Sequence, residues 1–140
     1  MAVALTTVCV SYKAEAIRGI HSEADDYRIA LFTSAAALDE DTEAYSASNE
    51  VSGQGYTAGG NLLTGFAVAT GSGKAWLDFD DTSWNPATIT ARFALIYNAT
   101  QAGNPAVAVM DFQEDVTATN GPFDITFPTA DADSALIRLN

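Results

Sequence analysis

The feature that most constrains the fold of this chain is a glycine-rich stretch near its middle, residues 45–65, which reads YSASNEVSGQGYTAGGNLLTG. Glycine is the usual residue where the backbone needs a positive φ or approaches another segment closely. Tyr45, Val51 and Tyr56 can pack such a loop against the body of a domain, whereas flexible linkers rarely carry such residues. We predict an ordered loop with a structural role or, as the alternative, a binding role. The residues assigned to this loop are Asn49, Glu50, Gly53, Gly55, Tyr56, Gly59 and Gly60.

Much of the remaining chain alternates in the pattern of β-strands. The clearest segment covers residues 88–97, which carry only one charge, so we predict a central strand that is covered on both faces. Residues 71–73, Gly-Ser-Gly, predict a hairpin turn, and residues 120–122, Asn-Gly-Pro, predict a loop between two strands. Further strands are predicted over residues 27–34, 62–69, 74–79, 106–112, 123–127 and 135–139.

The first ten residues, MAVALTTVCV, are rich in valine and threonine, which suits an extended arm or an edge strand. We assign residues 1–10 to an N-terminal arm and residues 11–140 to a single domain. Ser11 is the expected N-cap of a short helix that stops at Gly19. If the arm binds a neighbouring protein, its apolar side chains make the contact, namely Val3, Leu5, Val8 and Val10.

These elements amount to seven or eight strands and one short helix, without the alternation of strands and helices that a parallel sheet requires. We therefore predict a mainly β fold, an antiparallel β-sandwich with one short N-terminal helix. A jelly-roll-like and an immunoglobulin-like sandwich both fit the pattern, because each consists of short strands separated by turns.

The balance of charge restricts the possible partners. Eighteen acidic residues stand against six basic ones, for a net charge of −12. We expect neither nucleic acid nor anionic membrane as a partner, because both require clustered basic residues, whereas proteins with basic patches are favoured. We also expect a soluble chain, because no apolar run could span a bilayer and the first ten residues lack the basic start of a signal peptide.

We identify no catalytic, cofactor or metal site. The chain has one histidine, His21, for which a structural role is favoured over a titrating switch or a ligand. Its one cysteine, Cys9, is expected to be a small buried apolar residue. The string GSGKA lacks the first glycine and the final hydroxyl residue of a phosphate-binding loop. We therefore expect a non-enzymatic protein without a cofactor or a bound metal.

Three polar segments have alternative interpretations. Residues 39–43 are acidic but lack the spacing of a calcium-binding loop, so a solvated loop is expected. Asp78, Asp80 and Asp81 stand at a strand end, where a turn cap or an incidental cation site is favoured over acid–base catalysis by a carboxyl group of raised pKa. Residues 98–100, Asn-Ala-Thr, have the form of a glycosylation acceptor, although nothing else suggests secretion.

The run NEVSGQGYTAGGNLLTG, residues 49–65, contains the pattern Asn-Glu-Val-x-Gly-x-Gly-Tyr-x-x-Gly-Gly. In this it resembles the signature of a family of small bacteriophage virion proteins. The segments YKAEAIRGIH, YRIALFTS, DFDDTSWNPATITARFALIYN, MDF and FDITF are similar to other parts of that family. The resemblance extends discontinuously over most of residues 12–127.

The resemblance implies a structural protein of a tailed-phage particle, which is located in the virion and assembled in the host cytoplasm. It implies the major capsid protein or another virion protein as partner, and a homo-oligomer such as a trimer or a ring. The first role is a capsid decoration or cement protein that stabilises the head lattice, and the alternative is a tail or neck protein at the head–tail junction. A third alternative is a carbohydrate-binding module, with stacking aromatics at Tyr56, Trp76 and Trp84.

Overall fold

Two long antiparallel strands dominate the structure, a computed structural model that describes residues 5–139. Two antiparallel sheets and one helix in these residues confirm the predicted β-sandwich with a short N-terminal helix. The elements in chain order are β1 (Leu5–Val8), α1 (Val10–Ile17), β2 (Tyr27–Phe32), a 3₁₀ turn (Ser34–Ala36), β3 (Asn61–Leu62), β4 (Ala67–Gly71), β5 (Lys74–Asp78), β6 (Thr82–Asn98), β7 (Ala106–Ile125) and β8 (Ile137–Leu139).

Within the described residues, the larger sheet has five strands in the order β1-β7-β6-β2-β3, and the smaller sheet has the order β4-β5-β8. β6 pairs with β2 on one side and with β7 on the other. The central strand predicted over residues 88–97 is therefore confirmed, although it begins earlier, at Thr82. Residues 93–98 are all buried, so this half of β6 is covered on both faces.

The loop predicted around residues 120–122 is wrong, because β7 continues through this segment and remains paired with β6. The register of this pair shifts between Ala91 and Phe93, and β7 has positive φ values of 66° at Gln113 and 46° at Asn120. Such residues accommodate β-bulges within a continuous strand. Turn-forming residues suit a bulge as well as a loop, so the local sequence does not separate the two.

The N-terminal segment belongs to the larger sheet. β1 pairs antiparallel with β7, and α1 begins soon after it, at Val10. The edge-strand alternative is therefore confirmed for residues 5–8 and the extended arm is wrong there, because the outer edge of β7 provides hydrogen-bonding groups that β1 satisfies. Val8 is half-buried and Val10 is exposed, while Val3 lies outside the described residues. A partner-binding role for Leu5, Val8 and Val10 stays a prediction.

α1 begins without the predicted serine cap. Cys9 stands at the N-cap position with an extended backbone and makes no side-chain capping bond. Ser11 lies inside the helix, and its buried hydroxyl has no hydrogen-bond partner within residues 5–139. The helix ends at Ile17, and Gly19 takes a φ of 74°, as expected just beyond a helix end. None of the helical residues between positions 5 and 139 forms a segment long and apolar enough to cross a membrane.

The smaller sheet contains the predicted hairpin. β4 and β5 pair about Ser72 and Gly73, which have positive φ values of 52° and 75°. Two successive positive φ values characterise a type I′ turn, which matches the twist of the flanking strands. The strand predicted over residues 62–69 is wrong, because its beginning pairs as β3 in the larger sheet and its end forms β4 in the smaller one. Gly65, with a φ of 72°, lies at this change of sheet.

Aromatic side chains join the two sheets. The ring of Tyr27 on β2 lies 5.4 Å from that of Phe66 and 5.6 Å from that of Phe79. Leu77 of β5 and Ile137 of β8 are buried in the same hydrophobic core. The two sheets therefore share one hydrophobic core.

Candidate functional site

The carboxylate of Glu50 is the centre of the glycine-rich loop. Tyr45 Oη donates a hydrogen bond of 2.6 Å to Glu50 Oε1, and Tyr56 Oη donates one of 2.6 Å to Oε2. The backbone N–H of Gly59 donates to the same Oε2 at 2.8 Å. Hydrogen bonds to an ionised acceptor are shorter and stronger than those between neutral groups. Glu50 therefore draws together residues from both halves of the loop.

The tyrosines of the loop also attach it to the larger sheet. Tyr56 Oη accepts a hydrogen bond of 2.9 Å from the backbone N–H of Leu31 on β2. The ring of Tyr45 stacks on Tyr97 of β6 with ring centroids 4.5 Å apart, and Tyr97 Oη donates to the carbonyl of Gly59 at 2.7 Å. The loop is thus attached to β2 through its own Tyr56 and to the neighbouring strand β6 through Tyr97 of that strand.

Backbone contacts complete this attachment. Val51 is buried and its N–H donates to the carbonyl of Leu31 at 2.9 Å, while the carbonyl of Gln54 accepts the N–H of Thr88 at 2.9 Å. At Gly55 the backbone lies so close to the β6 carbonyl of Pro86 that a Cβ atom would overlap it. Gly53 makes a similar approach to Thr88, and Asn49 Nδ2 donates to the carbonyl of Ala35 at 3.2 Å. These contacts account for a structural role of the loop residues.

We expect the free energy of unfolding to fall as pH rises above about 10, the ordinary pKa of tyrosine. Burial, and after it the hydrogen bond to Glu50, raises the pKa of Tyr45 and Tyr56 in the folded protein. The unfolded chain therefore loses these protons first, so stability is complete below pH 10 and decreases above it. Each such tyrosine contributes a slope of about 1.4 kcal/mol per pH unit.

Chemical denaturation from about pH 8 to about pH 11 measures this slope. Tyr56→Phe removes one of the titrating groups, so the variant should show a shallower decrease, even though its stability at neutral pH is also lower. An identical slope in the variant and the original protein would contradict the assignment to Tyr56.

His21 is enclosed in a second hydrogen-bond network. Its side chain is 4% exposed, and its Nε2 lies 3.0 Å from Glu15 Oε1. Its Nδ1 lies 3.1 Å from Nδ2 of Asn98, which can only donate. Nδ1 is therefore the acceptor, and the proton sits on Nε2 and points to Glu15. With both ring nitrogens occupied, His21 holds α1 and the end of β6 together.

Asn98 is the fully buried centre of this network. Its amide nitrogen also donates to Asp25 Oδ2 at 2.8 Å, and its oxygen accepts the N–H groups of Thr100 and Gln101. The hydrogen bond from Asn98 lowers the pKa of Asp25. A buried side chain is not a glycosylation acceptor, so the sequence pattern at residues 98–100 has a structural explanation instead. Sequence reasoning missed this role, and its only signal was a polar residue at the end of an apolar strand.

Two of the three carboxylates at positions 78–81 contact distant segments of the chain. Asp81 accepts the backbone N–H of Phe127, 46 positions away, at 2.8 Å, and Asp80 lies beside Thr64. These are long-range contacts, whereas the predicted turn cap would be a local one. Burial, together with the nearby charges of Asp81 and Asp80, raises the pKa of Asp78. The acidic side chains at positions 39–43 are exposed. Residues 5–139 contain no group of three or more His, Cys, Asp or Glu side chains placed to hold a metal ion.

The aromatic residues suggested for carbohydrate stacking lie in different environments. Trp84 is 4% exposed, and its ring lies 6.2 Å from Phe123 and 5.7 Å from Tyr56. A stacking role for Trp84 is therefore wrong, because its faces are covered by the core. Tyr56 is half-buried with its hydroxyl bonded inside the loop, and Trp76 is half-buried on the smaller sheet. Cys9 is buried as predicted, and burial raises the pKa of its thiol to about 11.

Comparison of the chain with protein-family models, with curated proteins and with solved structures finds no match. Its function is therefore inferred from the contacts described above and from the resemblance of residues 49–65 and the similar segments.

Proposed function

We propose that this chain is a non-enzymatic structural protein of a bacteriophage particle, and that it decorates the capsid and stabilises the head lattice. The proposal rests on the structural role of the segment that resembles phage virion proteins, residues 49–65. Glu50, Tyr56 and Gly59 of this segment all bond within the protein, where they hold the loop to the sandwich. A sequence signature made of such residues specifies the conformation of a rigid loop, and a rigid loop suits a structural component of a particle.

The hydrogen bonds and the burial of the most reactive side chains support a non-enzymatic role. His21 uses both ring nitrogens in hydrogen bonds to Glu15 and Asn98. The thiol of Cys9 is buried and its pKa is raised, so it is a poor nucleophile at neutral pH. Glu50 accepts three hydrogen bonds and has little capacity to act as a base on a bound substrate.

The charge distribution supports a protein partner with a basic surface. The net charge is −12, and the carboxylates of Asp39, Glu40 and Asp41 are exposed on one loop. Electrostatic attraction over a surface of this kind increases association rates with basic partners and depends on ionic strength. We assign the partner role to the major capsid protein or to another virion protein, with assembly in the host cytoplasm.

The test compares purified virions with and without this protein under heat and osmotic stress and measures its copy number in the same particles. Hundreds of copies, with heads that lose their genome more readily in its absence, are expected for a lattice of capsid subunits. On the order of a dozen copies or fewer, with intact heads and defective tails, would indicate a ring at the tail or neck instead. Absence of the protein from the particle would overturn the proposal altogether.

The residues that bind the capsid can be located with a deletion that leaves the fold intact. Removing residues 2–10 would remove β1 and is expected to destabilise the larger sheet, so loss of capsid binding would be uninformative. Deleting residues 2–4 leaves β1 in place and tests the part of the predicted arm that contains Val3. Charge reversal at Asp39 and Asp41 tests the acidic loop in the same binding assay, with circular dichroism as the control for folding.

A further inference from the structure

The outer edge of β4 differs from the other sheet edges of the described residues. All five of its residues are exposed, and within residues 5–139 it pairs only with β5. The edge strand β3 has only two residues, β8 carries Arg138, and residues 6–8 of β1 are half-buried. Natural proteins protect sheet edges with short strands, charges, prolines or bulges, because a free edge readily pairs with another strand.

β4 has none of these protective features. Its sequence, AVATG, contains no charge and no proline, and its register with β5 is regular from residue 67 to residue 71. It lies at the end of a stretch, residues 51–73, that contains no charged residue, although 17% of the whole chain is charged. The longest uncharged segment of an acidic chain therefore ends in an open strand edge.

A largely apolar groove lies next to β4, between α1 and the smaller sheet. It has a volume of about 240 Å³. Val68 of β4 and Leu139 of β8 line it although they are 60% and 45% exposed. Tyr12 and Phe66 also line it, together with the polar residues His21 and Glu23. An additional strand at β4 would extend the smaller sheet and pack beside Val68, which is now largely exposed to water.

We propose that the β4 edge is the contact between two copies of this chain, which pair their β4 strands antiparallel about a two-fold axis at Ala69. Two copies that each carry a charge of −12 repel one another, so they associate most favourably along a strand that itself carries no charge. A basic partner would be attracted instead to the acidic surfaces elsewhere. The neutral edge thus fits a second copy.

The antiparallel direction is favoured by the charges at the two ends of the hairpin. The carboxyl group of Asp80 lies against Gly65, just before β4, whereas Lys74 stands opposite Gly71 at its other end. Antiparallel pairing brings Lys74 of one copy toward Asp80 of the other, about two strand spacings across and two residues along the strand, or ~12 Å away. The contribution is small, because this distance exceeds the screening length of about 10 Å in 0.1 M salt and Lys74 is also paired with Asp133.

The paired edges would form a continuous sheet of six strands across the two copies. Val68 of each copy would stand across from Thr70 of the other, on the face that lines the groove. The resemblance to virion proteins implies a trimer or a ring, whereas this edge specifies a two-fold contact and hence a dimer in solution. The contact does not depend on the proposed role in the virion.

The test compares the mass in solution of the original protein with that of two charged variants. Ala69→Asp and Ala69→Lys each place two like charges directly opposite one another at the two-fold axis, where such pairs are destabilising. Ala102→Asp, in an exposed loop, is the matched control for added charge. Sedimentation velocity over a range of protein concentrations gives the mass, and circular dichroism verifies folding.

We expect the original protein and Ala102→Asp to be dimers and each Ala69 variant alone to be a monomer. An equimolar mixture of Ala69→Asp and Ala69→Lys should recover the dimer, because the opposed charges then attract, and this recovery also shows that both variants are folded. A monomeric original protein, a trimer, or a dimer unaffected by both Ala69 variants would overturn the proposal.

Discussion

Replacement of Gly60 by alanine is expected to prevent stable folding. The backbone of Gly60 lies against β2 so closely that an added Cβ would overlap the carbonyl oxygen of Ile29 and lie 2.7 Å from Cα of Ala30. These atoms belong to a strand in the interior of the larger sheet and cannot move without breaking its pairing with β6. Gly60 also has a φ of 79°, which adds backbone strain for any other residue.

The expected loss is more than about 4 kcal/mol, which is a large part of the total stability of an ordinary domain. It should appear as insoluble protein or, if the variant is soluble, as the loss of a cooperative thermal transition. Gly73→Ala is the matched control, because Gly73 has a similar φ of 75° but no atom within 4 Å of the added Cβ. That control should lose only about 1–2 kcal/mol. If the two variants have equal free energies of unfolding, the close approach of Gly60 to β2 does not account for the loss of stability.

Replacement of Glu50 by glutamine is expected to cost about 2–3 kcal/mol. The carboxylate accepts hydrogen bonds from two tyrosine hydroxyls and one backbone N–H. A glutamine amide has only one acceptor oxygen. Tyr56 requires that oxygen at the Oε2 position, because the Tyr56 hydroxyl already accepts the N–H of Leu31 and directs its proton to Glu50. The NH₂ group then faces the hydroxyl of Tyr45, so the hydrogen bond that Tyr45 donates to the carboxylate is lost.

Urea denaturation at neutral pH measures the effect of Glu50→Gln. Glu40→Gln removes the same charge from an exposed side chain, so it should change the free energy of unfolding by less than about 0.5 kcal/mol. If the two variants lose equal stability, net charge rather than the tyrosine network accounts for the effect. A greater loss from Glu50→Gln than from Glu40→Gln would assign it to the hydrogen bonds.

The strands and turns that sequence reasoning predicted correctly depend on local patterns. The run at residues 88–97 is apolar on both faces, which favours burial in a central strand wherever the other strands lie. The Gly-Ser-Gly turn at residues 71–73 is also local, because neighbouring positive φ values determine the direction of the hairpin. The β-sandwich follows from the number and spacing of such segments.

The errors occurred where one local pattern is compatible with two structures. Asn and Gly at residues 120–121 serve a bulge in β7, although the same residues would suit a loop. An apolar N-terminal segment suits an arm and an edge strand equally, and pairing with β7 decides for the strand. Ser11 is a good N-cap by residue type, but α1 begins one residue before it, directly after the strand that precedes it.

The sequence by itself determined the mainly β class, the central strand, the hairpin turn and the acidic charge, because these depend on residue types and their spacing along the chain. Only the tertiary structure decided that Glu50 joins two tyrosines, that Asn98 binds His21 across 77 positions, and that Gly60 must lie against Ile29. It also decided which sheet edge is free, because an edge is defined by strands that are distant in sequence. Such contacts depend on where separate segments meet in space, and periodicity within a segment carries no information about that.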